Sequence, residues 1–409
     1  MIDIRLAREQ PGELRAALAR KGAAELFDEL LEADGKWRAL TTRVDELRAR
    51  TKLKGRPTEE QVAELQAVKE QLREAEAALT AAASRRDDLL ARVPNPPAPE
   101  VPDGDSEEDA LEIRRVGSQP VFPFAVRDHV ELGGFDLDRG ARLSGSRFAY
   151  RRGPLALLEL AMYRYALEHL VEAGFEPVLP PVLVREEAMY GTGFLPTDEV
   201  NLYRVERDEL YLTGTSEVAL AGLHMGEVLE ADELPARYAG YSTCFRREAG
   251  AAGRDTRGAI RVHQFDKVEM FVYTTPEASL EEHERLLAIE EDLVSRLGLA
   301  YRVVVTAAGD LGAPAAKKYD IEAWMPSQER YREITSCSNT TDYQARRLNV
   351  RFRDERGLRV AHTLNGTAMT ARWLIALVES CQQEDGSVQV PEVLRPYGAP
   401  ELLPSSSKP

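Results

Sequence analysis

Three stretches of the chain concentrate side chains suited to polar chemistry. The first runs Phe245-Arg246-Arg247-Glu248-Ala249-Gly250 and resumes at Arg261-Val262-His263-Gln264-Phe265-Asp266-Lys267-Val268-Glu269. The second is Glu333-Ile334-Thr335-Ser336-Cys337-Ser338-Asn339, and the third is Leu364-Asn365-Gly366-Thr367-Ala368-Met369-Thr370-Ala371-Arg372. Arginine is always charged and grips phosphate oxygens in a fork, so arginines interleaved with carboxylates and hydroxyls suit a phosphate-bearing substrate. The usual nucleotide signatures are missing: the chain contains no GxxxxGK[ST], and no GxGxxG follows a strand. Neither GxSxG nor HExxH occurs. A nucleotide site here must be of another type. Cys244, Cys337 and Cys381 are odd in number and far apart, which implies no disulfide framework. No histidine pairs with a cysteine at zinc-ligand spacing, so no zinc is expected. Arg48, Arg50, Lys52, Lys54 and Arg56 form a basic run without an acid, which reads as a solvated turn or as a phosphate-binding patch.

These groups need elements to position them. Leu26, Leu30, Ala33, Trp37, Leu40, Val44 and Leu47 recur at alternating steps of four and three. Val62, Leu65, Val68, Leu72, Ala75, Leu79 and Ala82 continue the same rhythm, which breaks at Arg86 and resumes at Leu89 and Val93. Two heptad seams around Gly55 and Pro57 predict an antiparallel coiled-coil hairpin over about 26–93, with the basic run at its tip. Each helix of about 30 residues would reach roughly 45 Å. Pro94-Asn95-Pro96-Pro97-Ala98-Pro99 ends the second helix. The expected organisation is an arm over 1–100, a Pro- and acid-rich linker over 101–110, a body over 111–400 and a frayed tail over 401–409. In the body, helices are expected over 155–173, 279–297 and 371–383. A hairpin is expected over 203–212, and strands over 262–273, 301–305 and 319–324. Long strands without regular alternation with helices indicate an α+β body, an antiparallel sheet flanked by helices.

The composition limits the function classes. The 409 residues are 43% apolar and 30% charged, with a net charge of −16. That charge argues against a protein that coats nucleic acid non-specifically, but not against a local basic patch. No run approaches the roughly 18 apolar residues of a membrane helix, and Met1-Ile2-Asp3-Ile4-Arg5 has no apolar signal core, so a cytoplasmic protein without a membrane partner is expected.

Gly174, Phe175, Val178 and Pro181, the Arg246–Glu269 stretch and the Leu364–Arg372 stretch resemble motifs 1, 2 and 3 of class II aminoacyl-tRNA synthetases. Phe-Arg-x-Glu-Ala-Gly followed by His-Gln-Phe-x-Lys-Val-Glu is similar to the seryl enzymes in particular. So are Thr213-Gly214-Thr215-Ser216-Glu217, Glu333–Asn339 and Gln344-Ala345-Arg346-Arg347. The resemblance covers residues 1 to about 400 and implies the family's coiled-coil tRNA-binding arm on a class II catalytic domain.

It also implies the reaction: serine is activated with ATP to seryl-adenylate and pyrophosphate, then transferred to the 3′ end of tRNA(Ser), and to tRNA(Sec) where that tRNA exists. By resemblance Arg246 holds the α-phosphate and Arg372 the γ-phosphate of a bent ATP. Glu248 contacts the adenine amino group, Phe265 stacks on the ring, and Val262, on the strand, offers backbone. Arg247, Ile334 and Thr335 complete the nucleotide site. Glu333 and Ser336, hard oxygen donors, would hold Mg²⁺. Serine would be bound by Thr215, Ser216, Glu217, Glu269, Asn365 and Thr367, and tRNA phosphates by Arg48, Arg50, Lys52, Lys54 and Arg56. The family recognises its tRNA by shape, through a long extra arm. A homodimer is expected through motif 1. The step from Thr367 to Arg372 is one residue shorter than usual in the family, which predicts either a tighter connection or a last helix that starts slightly earlier at Arg372.

Two other readings compete. One is a paralogue with altered duty, a resistance copy or an amino-acid ligase for another acceptor; such ligases tend to lack the arm. A catalytically inactive tRNA-binding protein would have lost the charges at Arg246, Glu248, Glu269 and Arg372, all present here.

Overall fold

The computed structural model describes residues 1–52, 58–249 and 257–405. Lys54 and Arg56 of the basic run therefore lie outside the described residues. The chain divides into two compact units, Met1–Pro96 and Pro97–Pro409.

The first unit holds four helices: α1 (Ile4–Glu9), α2 (Pro11–Ala19), α3 (Ala24–Thr51) and α4 (Glu59–Arg92). The two long helices form where the heptads place them. Arg48 pairs with Glu76 at 2.8 Å and Arg85 with Glu29 at 2.6 Å, so advancing along α3 means retreating along α4, an antiparallel hairpin. Leu30, Val44 and Leu47 of one seam and Val68, Ala82, Leu89 and Val93 of the other are buried, whereas Val62, near the start of α4, is 43% exposed. The break at Arg86 has a physical remedy. Its guanidinium lies 3.9 Å from the ring centroid of Trp37, a seam residue of α3, and the stack fills the position an aliphatic would take. Helices α1 and α2 were not foreseen from the sequence. They close the base of the hairpin through Ile2, Ala7, Leu14 and Leu18, packed with Phe27, Leu30, Leu89 and Val93. Buried Asp34 on α3 accepts from Arg8 at 2.6 Å and from Arg38 at 3.0 Å, which ties α1 to the hairpin.

The second unit is built on eight strands, β1 (Leu111–Val116), β2 (Glu176–Val178), β3 (Ala236–Phe245), β4 (Gln264–Thr274), β5 (Tyr301–Val305), β6 (Lys317–Met325), β7 (Arg330–Thr341) and β8 (His362–Thr370). Their order in the sheet is β1-β5-β6-β7-β8-β4-β3-β2, and every pair is antiparallel except β2 with β3. Three helices, α5 (Pro154–Glu172), α6 (Ser279–Arg296) and α7 (Ala371–Ser380), pack with the sheet in the main core. Strand β4 shows how the faces divide. Val268, Met270 and Val272 enter that core, while Phe271 and Tyr273 join a second cluster with Leu220, Leu348, Val350 and Phe352. Phe265, Lys267 and Glu269 continue the odd-numbered face and line a cleft instead.

The structure alters several expectations. Strand β4 begins at Gln264, so Val262 lies before the strand rather than on it. There His263 N–H donates to the Arg147 carbonyl at 3.0 Å and its carbonyl accepts from Arg246 N–H at 2.9 Å, which holds the chain in an irregular entry. The last helix stops at Ser380, short of 383. The stretch 101–110 is not a free linker. Val101 is buried with Ala308, Leu311 and Ala315, the Pro102 carbonyl accepts from Ala308 N–H at 2.9 Å, and the Gly104 carbonyl accepts from Gly309 N–H at 2.8 Å. Burying Val101 and pairing this backbone fixes the segment to the body. Among the described residues, no helix is long and apolar enough to cross a membrane.

Candidate active site

Polar side chains from several elements face a cleft of about 460 Å³. Strand β4 supplies Phe265, Lys267 and Glu269, β8 supplies Asn365, Thr367 and Thr370, and β7 supplies Glu333, Ile334, Thr335 and Ser336. Arg246 leaves the end of β3, Thr215 and Glu217 come from the turn into the short helix Glu217–Ala221, and Arg372 sits in the first turn of α7. A bulge between Val268 and Glu269 shifts the β4–β8 register so that Glu269 stands opposite Thr367.

The inner end of the cleft is buried and acidic. Thr367 Oγ1 donates to Glu269 Oε2 at 3.3 Å, and Lys267 Nζ contacts Glu269 while donating to Thr215 Oγ1 at 2.6 Å. Glu217 Oε1 accepts from Gln344 Nε2 at 2.7 Å and from Asn365 Nδ2 at 2.9 Å. Burial pushes the Glu269 carboxyl up, the Lys267 ammonium draws it back, Glu217 pushes it up again, and it comes to about 7. Burial likewise raises Glu217, against the hydrogen bond from Gln344 and the charges of Lys267 and Arg246. Two carboxyl groups, two hydroxyls and two carboxamides thus converge around the Lys267 ammonium, a set that can receive an ammonium and a hydroxyl.

The outer end is cationic. Arg246 Nε donates to the Gly214 carbonyl at 3.0 Å, and its guanidinium carbon lies 5.4 Å from the Phe265 ring centroid. Arg372 NH1 lies 3.3 Å from the Glu333 carboxylate and donates to the Glu333 carbonyl at 3.1 Å. Burial would raise Glu333, but the charges of Lys318, Arg372 and Arg246 outweigh it and hold the carboxyl at about 2. Lys318 itself is neutralised by Asp320 at 2.8 Å. Glu248, with φ of +52°, is ion-paired with Arg261. Thr370 caps α7 by accepting from Arg372 N–H at 3.3 Å, so the shortened step from Thr367 leads from strand into helix with Arg372 as the second helical residue.

Of the residues singled out in the sequence, Thr215, Glu217, Arg246, Glu248, Val262, Phe265, Glu269, Glu333, Ile334, Thr335, Ser336, Asn365, Thr367 and Arg372 line this one cleft. Two do not. Arg247 turns away, its Nε donating to the Leu202 carbonyl at 2.8 Å and its guanidinium stacking 4.9 Å from the Tyr203 ring. Ser216 is buried against Ser242, hydroxyl to hydroxyl at 2.8 Å. In both cases the neighbouring residue occupies the cleft-facing direction. Lys267, Arg261, Lys318 and Gln344 were not anticipated. Lys267 shares a strand face with Phe265 and Glu269, Arg261 belongs to the same stretch and Gln344 opens Gln344-Ala345-Arg346-Arg347, whereas Lys318 lies in none of these stretches. In the first unit, Arg48 and Arg50 are paired with Glu76 at 2.8 Å and Glu64 at 3.5 Å, and Lys52 is exposed beside them.

Residues 1–97 match the family described as the seryl-tRNA synthetase N-terminal domain, and residues 203–381 match the tRNA synthetase class II core domain (G, H, P, S and T). The chain is 50% identical to a serine–tRNA ligase of Leifsonia xyli, over 98% of this chain and 99% of the relative. It is 49% identical to that of Thermobifida fusca, over the same shares of each. Among solved structures, the seryl-tRNA synthetase of Pyrococcus horikoshii complexed with ATP superposes with a TM-score of 0.93 at 40% identity, covering 100% of both chains. A prolyl-tRNA synthetase of Giardia lamblia shares the fold, at 16% identity and a TM-score of 0.57 over 65% of this chain and 54% of that one.

Proposed function

The chain belongs to the seryl-tRNA synthetase family and is a serine–tRNA ligase, and on that premise we propose how its residues divide the work. The serine carboxylate attacks the α-phosphorus of ATP and pyrophosphate leaves, giving seryl-adenylate. A hydroxyl at the 3′ end of tRNA then attacks the seryl carbonyl and AMP leaves.

The inner end of the cleft seats serine. Glu269 accepts from its ammonium and hydroxyl, Thr367 completes the hydroxyl's bonding, and Thr215, Glu217 and Asn365 frame the ammonium. The outer end seats ATP: Arg246 on the α-phosphate, Arg372 on the γ-phosphate, Phe265 on the adenine ring, and Glu248 on its amino group. Val262 and Ile334 offer backbone. What carries this division is Arg246, whose charge is felt by Glu217 at one end and by Glu333 at the other. A cation so placed serves where carboxylate and α-phosphate meet, and fixed charge at that point lowers the barrier without reorganisation.

Mg²⁺ fits the outer end. Glu333, held ionised by its cations, and the hydroxyl of Ser336 are hard oxygen donors. Among the described residues no three His, Cys, Asp or Glu side chains gather to cage a metal, which suits an ion that draws its other ligands from water and phosphate. When bound, it would neutralise charge on the departing pyrophosphate.

The arm of the first unit binds tRNA(Ser), and tRNA(Sec) where one is present, through phosphate contacts at Arg48, Arg50, Lys52, Lys54 and Arg56. A homodimer is part of this reading, supported by the exposed apolar Leu157, Leu160 and Val171 on α5 and by Leu179 beyond it. The cytoplasm is the proposed location. The test is amino-acid-dependent pyrophosphate–ATP exchange: serine should support it, and absence of serine-dependent exchange with intact protein would defeat the reading.

A further inference from the structure

Lys267 has no assigned task, yet its position is specific. Its side chain is 7% exposed and that of Glu269 is 2% exposed, and its ammonium bridges Glu269 and the hydroxyl of Thr215 at 2.6 Å. Both partners belong to the proposed serine seat. The groups facing Glu269 come from every surrounding element. Lys267 lies two residues back on β4, Glu217 comes from the short helix, Thr367 from β8, and buried Glu290 from α6. Burial pushes the Glu290 carboxyl well up, so it stays neutral beneath the seat.

The charge balance then turns on Lys267. With Glu217 and Glu269 ionised and Lys267 protonated, the seat carries one net negative charge, which an incoming ammonium cancels. Without the lysine, two carboxylates would share one buried pocket, and one of them would take up a proton. A protonated Glu269 would donate through its O–H and could no longer accept from ammonium and hydroxyl together.

We propose that Lys267 is a positioning residue for serine recognition: by bridging Thr215 and Glu269 it holds the Glu269 carboxylate in the ionised, doubly accepting form that the ammonium and hydroxyl of serine require. This rests on the reading of Thr215, Glu217 and Glu269 as the serine seat. The contact with Glu269 supports it, because even beside the ammonium that carboxyl sits at about 7. Loss of the cation moves it further up, so that less of it is ionised at neutral pH.

The experiment is kcat/KM for serine in pyrophosphate–ATP exchange, from about pH 6 to about pH 9, on the full-length wild type, K267M, K267R and E269Q. The wild type should lose kcat/KM for serine as pH falls through about 7. K267M should lose about tenfold or more at neutral pH, through KM for serine and not KM for ATP, with the acid limb moved up by about one pH unit or more. K267R, which keeps a cation, should retain a limb near that of the wild type. A K267M limb and serine KM matching the wild type overturn the proposal. So does an equal rise in both KM values with an unmoved limb, the mark of a merely structural residue. E269Q separates the two levels. If it leaves serine kinetics intact, the serine seat itself is misplaced; if it is impaired while K267M is normal, only the role of Lys267 fails. Should K267M not melt cooperatively, K267Q, which keeps a polar contact without the charge, takes its place in the same comparison.

Discussion

Arg246 is held by the Gly214 carbonyl and flanked by Phe265, and its charge reaches both carboxylate groups of the cleft. Replacing Arg246 with Ala removes a preorganised cation from the reacting centre and leaves the core untouched. Exchange should fall by about 10²–10³-fold while the protein still melts cooperatively; near-normal exchange contradicts the assignment. The serine seat makes a second prediction. In the proposed seat Glu269 and Thr367 both bond the substrate's hydroxyl, so alanine would forfeit those bonds in a buried site. Alanine should be rejected by about 10⁴-fold in kcat/KM measured by exchange, whereas threonine, excluded only by space for a methyl, should be rejected less. At this scale the sequence was readable where a motif fixes spacing: Arg246, Glu248, Phe265, Glu269 and Arg372 all face the cleft. It misled at Arg247 and Ser216, because a motif string does not say which of its side chains point inward: Ser216 stands at the N-cap of a short helix and packs on Ser242, and Arg247 turns to the Leu202 carbonyl. Lys318 lies outside the motif stretches and reaches the site through sheet register, for which no local pattern exists; Arg261 and Gln344 lie within such stretches, which do not say that one pairs with Glu248 and the other donates to Glu217.

Elements were legible in proportion to their periodicity. The heptads of α3 and α4 span many turns, so their seams could be read through the gap at Arg86, where stacking on Trp37 replaces an aliphatic. Helices α1 and α2 have 6 and 9 residues, too few for a repeat to emerge, and burial at the hairpin base stabilises them more than their own propensity does. The start of β4 was misplaced because Val262 continues the alternation by residue type, while the backbone of the next residue, His263, bonds to Arg147 and Arg246 ahead of the regular strand. The entry to α7 links element to chemistry. Thr370 caps the helix, and the capped turn presents Arg372 beside Glu333. Thr370→Val removes the capping oxygen at a cost of about 1 kcal/mol and loosens the turn carrying Arg372. KM for ATP should rise with KM for serine unchanged. Equal changes in both, or none, would show that Arg372 is positioned by something other than this cap.

At the scale of the whole chain there are two units with separate cores, and the proposed reading divides the reaction between them. The net charge of −16 repels a polyanion, so tRNA must be drawn by local basic surface, and the hairpin's far end offers Arg48, Arg50 and Lys52. Two of those arginines are engaged by Glu76 and Glu64 at exposed positions. Such pairs contribute little in water, so phosphates can displace the carboxylates at small cost. Deleting Arg38 to Lys69 removes this end while leaving the Trp37–Arg86 stack and the apolar base of Ile2, Leu18, Phe27, Leu89 and Val93 in the chain. The residues of the catalytic cleft lie wholly in the second unit. The truncated protein should therefore keep serine-dependent exchange nearly unchanged, since no residue of the cleft is removed. Its charging of tRNA should be lost. In the intact protein the two activities should also separate by salt: charging at limiting tRNA should weaken steeply as salt rises, because each phosphate contact releases counterions, while exchange stays nearly flat. If the deletion abolishes both activities, the hairpin serves folding rather than recognition. If charging survives, the phosphate contacts lie elsewhere on the chain.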